Sequence, residues 1–132
     1  MAQPSQFELS TEQYLVADFY IAGTVADVQF WTAPTKCEVV AVREIHVTAG
    51  DDAGAVTGTI RRCQGTEAAT AGDDLLSETI DLKGTALTEQ LPALTATTAS
   101  LTLEAGNRLS LDVTGTTTAL AGVILTVLLK RA

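Results

Sequence analysis

The stretch Glu38–Thr48, EVVAVREIHVT, decides the fold class of this 132-residue chain. Eleven residues carry four valines, one isoleucine and one threonine, the branched side chains that suit a pleated surface. Strict alternation divides them into two sets. Val39, Ala41, Arg43, Ile45 and Val47 make one face, and Val40, Val42, Glu44, His46 and Thr48 the other. The first set is the more apolar, so period two predicts that it points inward. Ala33-Pro34-Thr35-Lys36 turns the chain ahead of this strand, and Ala49-Gly50-Asp51-Asp52-Ala53-Gly54 turns it afterwards. Val56–Cys63 then returns as a hairpin partner.

The same pattern extends in both directions. Tyr14–Ile21 and Val25–Trp31 read as strands upstream. Downstream, 64–74 reads as a long surface loop, and Leu75–Leu82 as a strand. Leu101–Leu103 and Arg108–Val113 alternate, the latter with Leu109, Leu111 and Val113 inward. Ala121–Lys130 closes the chain, apolar on both faces, as befits a strand central in its sheet or covered by a neighbouring subunit. No long helical period and no βαβ alternation occurs. The expected architecture is therefore all-β, an antiparallel β-sandwich, jelly-roll-like, of about eight short strands. Residues 14–132 are expected to form one such domain, with 1–13 as an N-terminal arm that Phe7 and Leu9 could dock.

Composition agrees and narrows the function. The chain holds 21 Thr and 20 Ala, only 18% charged residues, and a net charge of −8. Acidity with eight scattered Lys and Arg argues against nucleic acid, which needs clustered cations, and against an anionic membrane surface. The most apolar stretch, Leu120–Leu129, is too short to span a bilayer as a helix. The N-terminus lacks a basic region followed by an apolar run, so no cleaved leader is expected and synthesis is placed in a cytoplasm.

Chemistry-bearing residues are few. Cys37 and Cys63 read as two reduced, half-buried thiols, a single bridge being the alternative. The one histidine, His46, lies mid-strand and reads as a packed side chain. No nucleophile elbow, phosphate loop or dinucleotide motif occurs, so no catalytic residue, cofactor or enzyme activity is expected. Asp51-Asp52 and Asp73-Asp74 are weak calcium candidates, because they sit in glycine-containing turns without the alternating acidic pattern of a calcium loop. Their other reading is a solvated turn. Trp31 is either part of an aromatic core cluster or an interface anchor.

The succession FWTAPTKCEVVAVREIHVTAG (30–50), LTLEAGNRLSLDVTG (101–115) and AGVILTVLLK (121–130) resembles small virion proteins of tailed bacteriophages, the head decoration (cement) and head-fibre β-sandwich type. The shared features are an aromatic strand entering an Ala33-Pro34-Thr35 turn, a valine-rich strand, and an Ala105-Gly106-Asn107 turn launching a strand at Leu109. The resemblance spans about residues 15–130. It implies a non-enzymatic protein of the outer capsid surface, bound to the major capsid protein and self-associated, with a trimer favoured. On that reading the arm 1–13, with Phe7 and Leu9, is expected to meet the shell. Trp31, Val123, Leu125, Val127 and Leu129 are expected at contacts between subunits. The alternative is a receptor- or glycan-binding sandwich of a phage fibre or tail, displaying loops 49–54, 64–74 and 114–119.

Overall fold

The computed structural model describes residues 13–132. They form nine strands and one 3-10 turn: β1 (Tyr14–Ile21), β2 (Val28–Thr32), β3 (Cys37–Thr48), β4 (Thr57–Cys63), β5 (Asp73–Asp74), β6 (Ile80–Asp81), the turn Thr98–Leu101, β7 (Thr102–Leu103), β8 (Arg108–Thr114) and β9 (Ala121–Arg131). Sheet A has the order β1-β9-β3-β7. Sheet B has the order β2-β8-β4-β5, with β6 also on β4. All pairings are antiparallel. Strands β1 to β4 alternate between the sheets, and β8 and β9 return to fill the gaps between β2 and β4 and between β1 and β3. These interleaved Greek keys are the topology of a jelly roll. The arm positions 1–12, including Phe7 and Leu9, lie outside the described residues.

The facing of β3 differs from the alternation in its sequence. Val39 pairs with Leu129, but Ala41, not Val40, pairs with Leu128, so Val40 is the extra residue of a β-bulge. A bulge shifts parity by one. Before it, Cys37 and Val39 face the core. After it, Val42, Glu44 and His46 do, while Arg43 and Val47 are exposed and Ala41 and Ile45 are partly covered. The expected inward set is thus correct at Val39 alone. Without the bulge a valine-rich β3 would have buried Arg43. A second bulge, at Phe30 between Gln29 and Trp31, does the same to β2. Phe30 stacks on Phe19 at 5.1 Å between ring centres, and Trp31 packs beside Leu109, so both aromatics lean on the core.

The core between the sheets is aliphatic. Val39, Val42, Ile60, Leu103, Leu109, Leu111, Val123, Leu125, Val127 and Leu129 are almost fully enclosed. Strand β9 supplies four of these because it lies between β1 and β3, the two other long strands of its sheet. Its apolar inward set is period two in plain form, and Ile124, Thr126 and Leu128 point the other way.

Of the strand expected over Leu75–Leu82 only Ile80–Asp81 forms, as β6, and the rest of residues 75–97 is irregular. Leu75 and Leu76 are adjacent and both buried, which a strand exposed on one face does not permit. The segment is an excursion that folds on itself, with Thr95 N–H donating to Leu75 O and Ser77 N–H to Ala93 O. It closes the side of the sandwich by touching both sheets. Ile80–Asp81 pairs with β4, and Gln90 exchanges two backbone hydrogen bonds with Glu44 on β3. Conversely, Asp73–Asp74, expected in a loop, is the short strand β5.

Neighbouring positions on β9 should respond differently to truncation. Leu125→Ala is expected to cost about 2–5 kcal/mol as a core cavity. Ile124→Ala, on the outer face, is expected to stay within about 1 kcal/mol. Urea denaturation midpoints of the two variants check the assigned parity.

Candidate interaction surface

The titratable residues enclosed by the fold form a staple, not an open site. Glu44 and His46 stand two apart on β3, share a face, and are 1% and 0% exposed. His46 Nδ1 lies 2.9 Å from Glu44 Oε2, and Nε2 lies 2.8 Å from the carbonyl oxygen of Gly84. A carbonyl only accepts, so Nε2 carries a proton. A second proton then lies between Nδ1 and Glu44, whichever atom holds it. Gln90 Nε2 donates to Glu44 Oε1 at 2.9 Å and to Asp81 O at 2.7 Å, and Asp81 N–H donates to Gln90 Oε1. The network ties β3 of sheet A to β6 of sheet B through the excursion. Burial pushes the Glu44 carboxyl above the usual carboxylate range, against the hydrogen bonds and charge of His46 and the Gln90 bond that favour ionisation, with nearby Asp81 raising it slightly further. Enclosed on all sides, the pair has no access to a substrate.

The acidic turns have structural partners. Asp73 accepts from Arg62 Nη2, and Asp74 from Thr59 Oγ1 and the Leu76 N–H. Asp52 accepts from the Thr116 N–H. Among the described residues no three His, Cys, Asp or Glu side chains gather as metal ligands do. Cys37 and Cys63 are buried and unbridged, and burial pushes the Cys37 thiol up.

What distinguishes the molecule is the contrast between its two outer faces. The outer face of sheet B is covered. The loop 64–74 lies over it, held through main-chain oxygens. Arg61 Nη1 donates to Gly72 O at 3.0 Å, Arg108 Nη2 to Gly65 O at 2.9 Å, Ser110 Oγ to Ala69 O at 2.7 Å, and Cys63 Sγ to Ala68 O at 3.3 Å. Arg61 also pairs with Asp112 at 2.8 Å. The loop passes so close to β4 that a Cβ on Gly72 would lie 2.2 Å from Arg62 O.

Among the described residues no loop covers the outer face of sheet A, which is largely apolar. Strand pairing arranges it in rows across β1, β9 and β3: Tyr20–Ile124–Ile45, Asp18–Thr126–Arg43, and Val16–Leu128–Ala41. Tyr20 is 57% and Val16 53% exposed. Val47 lies over Gly122, whose φ of +69° and lack of a Cβ let the valine settle there; a Cβ would meet Val47 Cβ at 2.7 Å. The excursion extends the face past β3. Leu87 donates its N–H to His46 O and holds a left-handed φ of +59°, while 70% exposed; Leu91 is also exposed. Glu89 accepts from Arg43 Nη1 at 3.0 Å.

Of the residues expected at contacts, Val123, Leu125, Val127 and Leu129 are corrected: each is fully buried in the chain's own core. The outward side chains of β9 are the intervening Ile124, Thr126 and Leu128. Trp31 is half-buried against that core, and Phe7 and Leu9 fall outside the described residues. The face carrying Tyr14, Val16, Tyr20 and Leu87 was missed. Its one sequence signal was that β1 and β9 are apolar at both parities.

With the sheet order and faces in hand, the fold can be compared with solved structures. This chain shares its fold with chains of bacteriophage capsids. A chain in the capsid of Ralstonia phage GP4 superposes with a TM-score of 0.63 at 13% identity, over 92% of this chain and 84% of that one. A chain of the cyanophage Pam1 capsid asymmetric unit gives 0.54 at 14% identity, over 92% and 87%. No family model and no curated protein matches this sequence.

The staple has a pH signature. A carboxyl whose folded pKa is raised contributes stability below its unfolded value, and that contribution is lost as pH rises through the folded value. Urea midpoints of the wild type should therefore fall with rising pH, relative to Glu44→Gln, from about the usual carboxylate range upward. Gln at position 44 can donate to Nδ1 and accept from Gln90, so the variant should be near neutral in stability. His46→Ala strands Glu44 and should cost about 3–5 kcal/mol.

Proposed function

We propose that this chain is a non-enzymatic structural protein of a bacteriophage virion that binds the outer capsid surface and stabilises the head. The observation that carries the reading is the near-complete superposition on chains of two phage capsids, at 92% coverage of this chain in both. The physical form of the molecule supports it. Its buried polar groups fasten the fold together, and its accessible assets are a bare apolar face and a net charge of −8. Such a protein works by adhesion. Each bound copy adds a modest free energy across neighbouring capsid subunits, and a shell with many equal sites multiplies it. The partner on this reading is the major capsid protein, with the segment 1–13 and one sheet edge as the shell contacts. Self-association accompanies it, and a trimer is what the sequence resemblance implies.

Immunogold electron microscopy of purified particles, with antibody against the full chain, tests the reading. Label over the head is expected, and label confined to the tail or fibres, or absent, would overturn it. Particles lacking the protein should release DNA at lower temperature than complete ones. Particles carrying a chain deleted for residues 1–12 should fall between the two if the arm contributes to binding.

A further inference from the structure

The outer face of sheet A has a property beyond being apolar: it matches itself. In the row Asp18–Thr126–Arg43 an anion stands on β1 and a cation on β3, with β9 between them. Asp18 makes no ion pair with another described residue. Arg43 uses Nη1 for Glu89, which leaves the rest of its fork free to donate. The rows on either side, Tyr20–Ile124–Ile45 and Val16–Leu128–Ala41, are apolar throughout.

We propose that this face is the contact between two copies of the chain, packed face to face about a two-fold axis that runs along β9. Such an axis keeps each row in place and reverses its order. Asp18 of each copy comes over Arg43 of the other, Tyr20 over Ile45, and Val16 over Ala41. Thr126 and Leu128 lie near the axis and meet their own counterparts. The strands of the two facing sheets stay roughly aligned, the usual arrangement of stacked sheets. Lys130 meets Lys130 at the rim, where each is flanked by Glu38 in its own row. The three columns that overlap about this axis, β1, β9 and β3, at about 4.8 Å and eight residues at about 3.3 Å give a footprint near 380 Å² per copy. A pair then buries roughly 760 Å², below the range of stable specific interfaces, so association should be weak and transient, of roughly high-micromolar-to-millimolar strength. An isologous contact closes at two copies, so this face does not build a three-fold ring. The inference does not depend on where in a virion the protein resides.

Sedimentation equilibrium of the full chain over that concentration range tests it. A monomer–dimer equilibrium is expected. Asp18→Arg and Arg43→Asp each place like charges opposite one another twice per pair, and each should weaken dimerisation at least tenfold. The double variant carrying both changes should return to within a few-fold of wild type, and an equimolar mixture of the two single variants should pair as a heterodimer. Circular dichroism confirms that the variants are folded. Thr126→Cys should cross-link between copies with a short bismaleimide that spans the ~10 Å between facing sheets, since Cys37 and Cys63 are buried. A monomer at every concentration, self-association that the Asp18 and Arg43 reversals leave unchanged, or a double variant no better than the singles would overturn the proposal. So would a chain that pairs only after residues 1–12 are deleted, because that result gives the face to the arm.

Discussion

A strand can send only one of its two side-chain sets into a core, and in this molecule one extra residue on β3 decides which set that is. The bulge at Val40 buries Val39 ahead of it and Val42, Glu44 and His46 behind it. Everything at that side of the sandwich follows. An enclosed carboxyl and imidazole need partners, and the chain supplies them by carrying Gly84 and Gln90 across the gap between the sheets. Residues 75–97 hold no regular structure beyond the two-residue strand β6, yet the staple gives them a fixed place on both sheets. Net stability from a buried ionisable pair is small against apolar alternatives. Its contribution is to hold one arrangement of an irregular segment.

The two outer faces show what the remaining polar groups do. On sheet B, two arginines, a serine and a cysteine reach the carbonyl oxygens of loop 64–74, and the face is closed. On sheet A, the loop that arrives at β3 forms another edge column and leaves the face open. Leu87 is informative here. A bulky residue at positive φ costs free energy, and its side chain gains almost no burial in return within the isolated chain.

Much of the architecture was legible in the sequence. The turns at Ala33–Lys36, Ala49–Gly54 and Glu104–Asn107, the inward Leu109 and Leu111, and the length of β9 all follow from turn chemistry and alternation. Parity along β3 was not, because VVAV at 39–42 is apolar at both parities and hides the residue at which the register slips. The irregular excursion was missed for a related reason: Leu75, Leu76, Ile80 and Leu82 signal burial, and burial alone does not distinguish a strand from a segment pinned by its backbone. The contacts assigned to Val123, Leu125, Val127 and Leu129 failed on facing, since two-sided apolarity locates a strand without saying which side its sheet partner occupies. The covered and bare faces depend on where loops 64–74 and 84–91 land, a long-range outcome with no local pattern.

The fastening of loop 64–74 has a consequence for how this surface can diversify. Arg61, Arg108 and Ser110 grip main-chain oxygens, and every amino acid offers one. Thr66, Ala68, Thr70 and Ala71 point into solvent with no side-chain bond to the sheet, while Gly72 alone is fixed by closeness to β4. The covering is thus written in backbone, leaving its outward lettering open to drift, and it offers a site at which foreign residues can be displayed on the molecule without loosening the layer beneath.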